Sequence, residues 1–252
     1  KLPVVKENKY KPPSLYARSY RISNFLHCSM NNQNPPTIIE NIPLVLNEEE
    51  LLRHLQMDAG SVFIQDIRWT VHEAEALARP KGLYRLSAVE HTGETTVTLD
   101  GITFTSRVLR INLDSMYRAF SFLATCGQEL EAWSRTLQDP MQQFWADTIK
   151  EMALRQAIQA LSEQIRNTYE TSDLAMMNPG SLPDWPISEQ RPLFALFGDA
   201  AGAIGVQLKE SGLMSPVKTV SGVWLSTEKG FVNCQLCKRE DCPNRRMPFD
   251  QH

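Results

Sequence analysis

Three cysteines near the C-terminal end, Cys234, Cys237 and Cys242, stand at a spacing that lets them grip one metal centre. A Cys-x2-Cys pair places two thiolates on one tight turn, and Cys242 adds a third ligand. The metal is then tetrahedral zinc, with sulfur about 2.3 Å away, or an iron–sulfur cluster. Either needs a fourth ligand from Cys28, Cys126, a histidine or a partner, or leaves a coordination position open. Thiols this close are hard to keep unoxidised without a metal, so a metal is expected over three free thiols. Pro243 directly follows Cys242, as proline commonly follows the last cysteine of cluster-binding runs, which favours iron–sulfur with zinc as the alternative. Arg245 and Arg246 offset the negative charge of a thiolate-bound centre, or form a solvated basic tail.

The second stretch with chemical potential is the loop around Asn178, Pro179, Gly180 and Ser181. Pro-Gly lets bare backbone approach a flat or polar ligand with no Cβ in the way. Asp184 can accept a hydrogen bond from an amine or a ribose hydroxyl, and Trp185 and Trp224 can stack on a ring. The alternative is a packed structural loop with Trp185 plugging the core. Acyl-transfer catalysis has little support: the five histidines are scattered, and none lies in a nucleophile motif. No phosphate-binding or dinucleotide fingerprint is present.

A net charge of −3 over 252 residues provides no basic field for nucleic acid. No apolar run approaches the roughly 20 residues of a membrane span. Five cysteines, three of them in the tail, do not make a secreted disulfide framework. The expectation is a cytoplasmic protein that binds neither nucleic acid nor membrane.

Residues 1–40 read as an irregular arm, within which SLYARSYRISNFLH from Ser14 offers a short helix or strand. Asn47 looks like an N-cap, with Glu48 to Glu50 in the first turn, where the helix dipole favours acid. A second helix spans roughly Asp66–Arg79 and stops at Pro80. From Lys81, GLYRLSAVEH, TTVTLDGITF and SRVLRINL alternate apolar and polar residues and predict two or three antiparallel strands, with Asp100-Gly101 as a hairpin turn. MYRAFSFLATCGQELEAWSRTL from Met116 predicts helix broken at Thr125-Cys126-Gly127, with Cys126 a buried structural thiol. Met141–Glu170 predicts a helix long enough to lie across a sheet. Four prolines between Pro179 and Pro192 rule out regular helix there, and KTVSGVWLS predicts a strand. The expected class is α/β (α+β), with long helices and an antiparallel sheet.

Several of these stretches resemble the activation, S-adenosylmethionine-binding, domain of vitamin B12-dependent methionine synthase, and free-standing relatives of it. The likeness runs from about Leu44 to Ser226. It rests on EELLRHLQM at Glu49, Ala124-Thr125-Cys126-Gly127, Asn178-Pro179-Gly180 with Asp184-Trp185-Pro186, and IGVQLKESGLMSPVKTVSGVWLS from Ile204. The resemblance implies a C-shaped domain with a twisted antiparallel sheet. It also implies a role in reductive methylation of cob(II)alamin, carried by a corrinoid protein or cobalamin-dependent methyltransferase, with S-adenosylmethionine as methyl donor. The family's ligand loop has Arg where this chain has Met176, and Tyr where it has Ser181. The resemblance makes Asn178, Pro179, Gly180, Ser181 and Asp184 ligand-loop residues and Trp224 a cap on the bound cofactor. The expected organisation is an arm (1–40), an activation-like domain (41–230) and a cysteine-rich metal-binding tail (231–252). The expected function is an accessory or reactivation protein carrying an electron-transfer cluster. The alternative is a non-catalytic assembly module with a structural zinc site.

Overall fold

The computed structural model describes residues 21–24 and 34–226, apart from 172 and 183. The cysteine tail and Cys28 lie outside the described residues. In chain order the elements are β1 (Arg21–Asn24), β2 (Thr37–Glu40), α1 (Glu48–Leu55), α2 (Ile64–Leu77), β3 (Lys81–His91), β4 (Thr96–Leu99), β5 (Ile102–Thr105), α3 (Arg107–Asn112) and β6 (Arg118–Thr125). There follow α4 (Gln128–Ser134), α5 (Pro140–Tyr169), β7 (Leu174–Met177), a 3-10 turn (Ile187–Glu189), α6 (Gln190–Phe197), α7 (Ala200–Ala203), β8 (Gln207–Leu208), β9 (Met214–Ser215) and β10 (Thr219–Ser226).

The main sheet has the order β1-β2-β3-β6-β10-β7, and all its pairings are antiparallel. The far end of the long β3 turns out to pair with β4, which pairs with β5. Asp100 (φ 47°) and Gly101 (φ 82°) make the expected turn between β4 and β5, the paired positive φ that a two-residue hairpin loop needs. Thr37–Glu40, within the stretch read as an irregular arm, is a sheet strand paired with β3.

The 30-residue helix α5 starts at Asp139, whose side chain accepts from Met141 N, with Pro140 in the first turn. Its length follows from packing in two places. Its second half, through Ala157, Leu161 and Ile165, covers one face of the sheet against Tyr84, Phe122 and Trp224. Its first half, through Trp145, Ile149 and Ala153, packs with Leu51, Leu52 and Leu55 of α1, Ile67 and Ala74 of α2, and Leu130 of α4. The other sheet face, with Leu83, Leu123, Met177 and Val223, is covered by the β4–β5 hairpin, α3, α6 and α7.

Two segments differ from expectation. Arg118–Thr125 is β6, the central strand, not a helix. It is covered on both faces, so Ala119 to Thr125 are all buried. A strand buried on both sides reads as a continuous apolar run without the period-two signal. Arg107–Asn112 is helix α3, not a third strand: the Ser106 side chain accepts from Leu109 N and starts it. Cys126 is fully buried, as expected, and burial pushes its thiol up to about 12.

Candidate functional site

The loop after β7 is shaped by its own backbone. Gly180 has φ 82°, and its N–H donates to the carbonyl of Trp185 at 2.7 Å. This left-handed φ favours glycine, and a Cβ there would also press on the Ile187 side chain, 2.9 Å from its Cδ1. Ser181 N donates to Asn178 O, and Trp185 N to Leu182 O. Asn178 is buried, and its Nδ2 donates to the Ser221 carbonyl in β10 at 2.8 Å. This bond ties the loop to the sheet.

Beside the loop is a cavity of about 310 Å³. Asn178, Pro179 and Ser181 form one wall. Ile187 and Gln190 close one side, and Lys209, Leu213 and Met214 of the β8–β9 hairpin close another. Val217, Thr219, Val220 and Ser221, running into β10, make the back. Gln190 is 4% exposed and Ser221 2% exposed. Among the described residues neither Gln190 Oε1 nor Ser221 Oγ has a hydrogen-bond partner. Buried polar atoms are nearly always paired, so two unpartnered atoms on residues of one cavity mark a place where a polar ligand can complete the bonding.

The back wall is anchored to α5. Lys218 Nζ lies 3.0 Å from Asp147 Oδ2 and 3.7 Å from Glu151 Oε2. Burial works against its ammonium, yet the hydrogen bond to Asp147 and the attraction of Asp147 and Glu151 hold its pKa above the ordinary 10.5. The Lys218 carbonyl accepts from Cys126 N, and Thr219 Oγ1 donates to Thr125 Oγ1 at 3.0 Å.

Of the residues expected at a ligand site, the structure brings Asn178, Pro179 and Ser181 to the cavity and leaves Asp184 and Trp224 out of its wall. Asp184 Oδ2 accepts from Ser106 Oγ at 3.0 Å and from Val108 N at 2.7 Å, so this carboxylate braces the start of α3. Trp224 is 2% exposed and stacks on Phe122 with ring centroids 3.7 Å apart, in the core beneath α5. Gly180 shapes the loop without lining the cavity. Met176 packs on the same side as Trp224. Trp185 is a fully buried core residue, edge-on to Phe104. Gln190, Lys209 and Thr219 were not expected at the site. Ser221 and Gly222 form the Ser-Gly pair of the β10 motif, a signal that could have led to the back wall. Cys234, Cys237 and Cys242 lie outside the described residues. Among the described residues no group of three or more His, Cys, Asp or Glu is placed to hold a metal ion. Among them, too, no helix is long and apolar enough to cross a membrane.

The architecture matches a solved structure, the crystal structure of the MetH reactivation domain bound to AdoHcy. The match has a TM-score of 0.53 at 14% identity and covers 75% of this chain and 73% of that one. The chain has the fold of the MetH reactivation domain. No protein-family model and no curated protein matches the sequence. The likeness to the MetH domain is therefore one of architecture: a mixed α/β unit with an antiparallel sheet and helices.

Proposed function

We propose that this chain is an accessory protein for reactivation of a corrinoid-dependent methyltransferase, acting in the cytoplasm, and that its cavity takes S-adenosylmethionine. The carrying observation is the cavity between the 178–181 loop and β10, with its unpartnered Gln190 Oε1 and Ser221 Oγ. The shared fold supports the same class of ligand, because the MetH domain was captured with AdoHcy. The residues fit such a molecule: the wall mixes apolar side chains (Ile187, Leu213, Met214, Val217) for its non-polar surface with Asn178, Gln190, Thr219 and Ser221 for its polar groups.

When bound, S-adenosylmethionine supplies a methyl cation to cobalt, and one electron from a reductant is needed to carry cob(II)alamin to methylcobalamin. The cobalamin belongs to the partner. The task of this chain is to hold the donor at an open cavity mouth, and Ile187, Leu213 and Val217 are exposed around it. Cys234, Cys237 and Cys242 are proposed to hold an iron–sulfur cluster that delivers the electron. A structural zinc knot is the alternative, which makes the chain an assembly module.

Isothermal titration of the full chain with AdoHcy tests the ligand, with a single site of micromolar affinity expected. A flat trace removes the donor from the function. Iron and sulfide analysis of anaerobically purified protein, with a visible spectrum bleached by dithionite, tests the cluster. Zinc without colour selects the assembly role.

A further inference from the structure

Among the described residues that line the cavity, Lys209 is the only charged one. Among the described residues its ammonium has neither an ion pair nor a hydrogen bond, whereas its backbone is fixed. Lys209 N donates to Leu213 O at 2.8 Å, and Gly212 N donates to Lys209 O at 3.0 Å, so the β8–β9 turn presents the side chain from a defined position. Its chain neighbour Glu210 forms no ion pair with it among the described residues, and Glu189, next to Gln190, is engaged elsewhere: its Oε2 accepts from Thr105 N at 2.9 Å.

Two residues of the cavity wall thus carry unmet demands of opposite kind. An ammonium can only donate, and it favours an anion. Gln190 Oε1 can only accept, it is buried, and it favours a donor. A phosphate meets the first demand and not the second. A neutral sugar or base meets the second and not the first. An α-amino carboxylate meets both, with its carboxylate on Lys209 and its ammonium on Gln190 Oε1.

Resting on the function proposed above, we infer that Lys209 and Gln190 form the subsite for the zwitterionic amino-acid end of the ligand, so that Lys209 sets the preference for amino-acid-bearing adenosyl compounds. The test titrates the full chain with AdoHcy and with 5′-methylthioadenosine, which lacks the amino-acid end, in wild type and in Lys209→Met, Lys209→Arg and Gln190→Met. Lys209 is exposed, so its variants leave the core intact. Melting curves establish which Gln190→Met samples are folded. Lys209→Met should weaken AdoHcy about tenfold, which corresponds to about 1.4 kcal/mol, and leave methylthioadenosine unchanged. Lys209→Arg should keep most of the AdoHcy affinity. Folded Gln190→Met should again weaken AdoHcy alone. Equal AdoHcy affinity in wild type and Lys209→Met overturns the subsite while leaving the proposed function standing. Equal weakening of both ligands overturns it too, since Lys209 would then shape the wall in general. A wild type that binds neither ligand removes the proposed function, and the subsite with it.

Discussion

Replacing Gly222 by Ala probes the join between β10 and the ligand loop. A Cβ at this position would collide with the Met177 carbonyl oxygen. It would also stand 2.5 Å from Asn178 Nδ2 and 2.9 Å from Phe122 Cε1. The Phe122 ring cannot swing aside, because Trp224 lies stacked on it. The Met177 oxygen is backbone, so β7 itself must shift, and Asn178 with it. Forcing one methyl into a packed region costs about 1–3 kcal/mol. Losing the Asn178–Ser221 hydrogen bond adds about 1 kcal/mol. In a chain of this size each kcal/mol lowers the melting midpoint by about 2–4 °C. A total near 3 kcal/mol then predicts a midpoint about 9 °C lower, read by circular dichroism. Because Asn178 and Pro179 form a cavity wall, AdoHcy affinity should fall as well. A midpoint within about 2 °C of wild type would refute the reasoning, since β7 would then be free to move away from β10.

Asp184→Ala removes the acceptor of Ser106 Oγ and Val108 N and should cost about 2 kcal/mol in urea denaturation, with AdoHcy binding unaltered. Lost binding without lost stability would return Asp184 to the ligand site. Acid sensitivity should centre on Glu131. Burial alone would raise its carboxyl, but hydrogen bonds from Arg135 and Lys150 and the attraction of both hold it below the ordinary 4.5. A depressed native value means that Glu131 stabilises the fold above pH 4.5 and that this contribution is lost as pH falls through the lower native value. Urea midpoints taken across about pH 3–6 should slope less in Glu131→Gln, and an unchanged slope would exclude this carboxylate as the source. The Cys126 thiol, buried and pushed up to about 12, should escape iodoacetamide in native protein and react after unfolding, as peptide mass spectrometry can check. Labelling of the native state would mean that the β6–α4 corner opens.

The local signals in the sequence that carried through were those with a mechanism independent of the rest of the fold. Asn47 caps α1, and Asp100-Gly101 turns the hairpin. What failed depended on tertiary surroundings. The apolar run of β6 looks like helix until both its faces are known to be covered. SRVLRINL alternates like a strand, yet Ser106, held by Asp184 from 78 residues away, caps a helix. The candidate site divides in the same manner. Pro179-Gly180 pointed to the loop. Gln190 and Lys209 come from a helix and a hairpin that fold over it, and no local pattern marks them. Asp184 was expected to accept a hydrogen bond and does so, but from the protein. Trp224 alternates along β10 onto the α5 face, a side that depends on which sheet face each helix covers.

The position of β10 has a consequence for synthesis of the protein. β6 gains its first partner, β3, from sequence already made, but its second edge waits for Thr219–Ser226. Until that stretch leaves the ribosome, the middle of the sheet is an unpaired apolar edge, the kind of surface that recruits other chains. Helix α5 can cover one face in the meantime, but it cannot supply the missing backbone partners. A nascent chain halted before Thr219 is therefore expected to aggregate more readily than one extended past Ser226. Translation of Thr219–Ser226 closes the middle of the sheet, and it also delivers the back wall of the cavity.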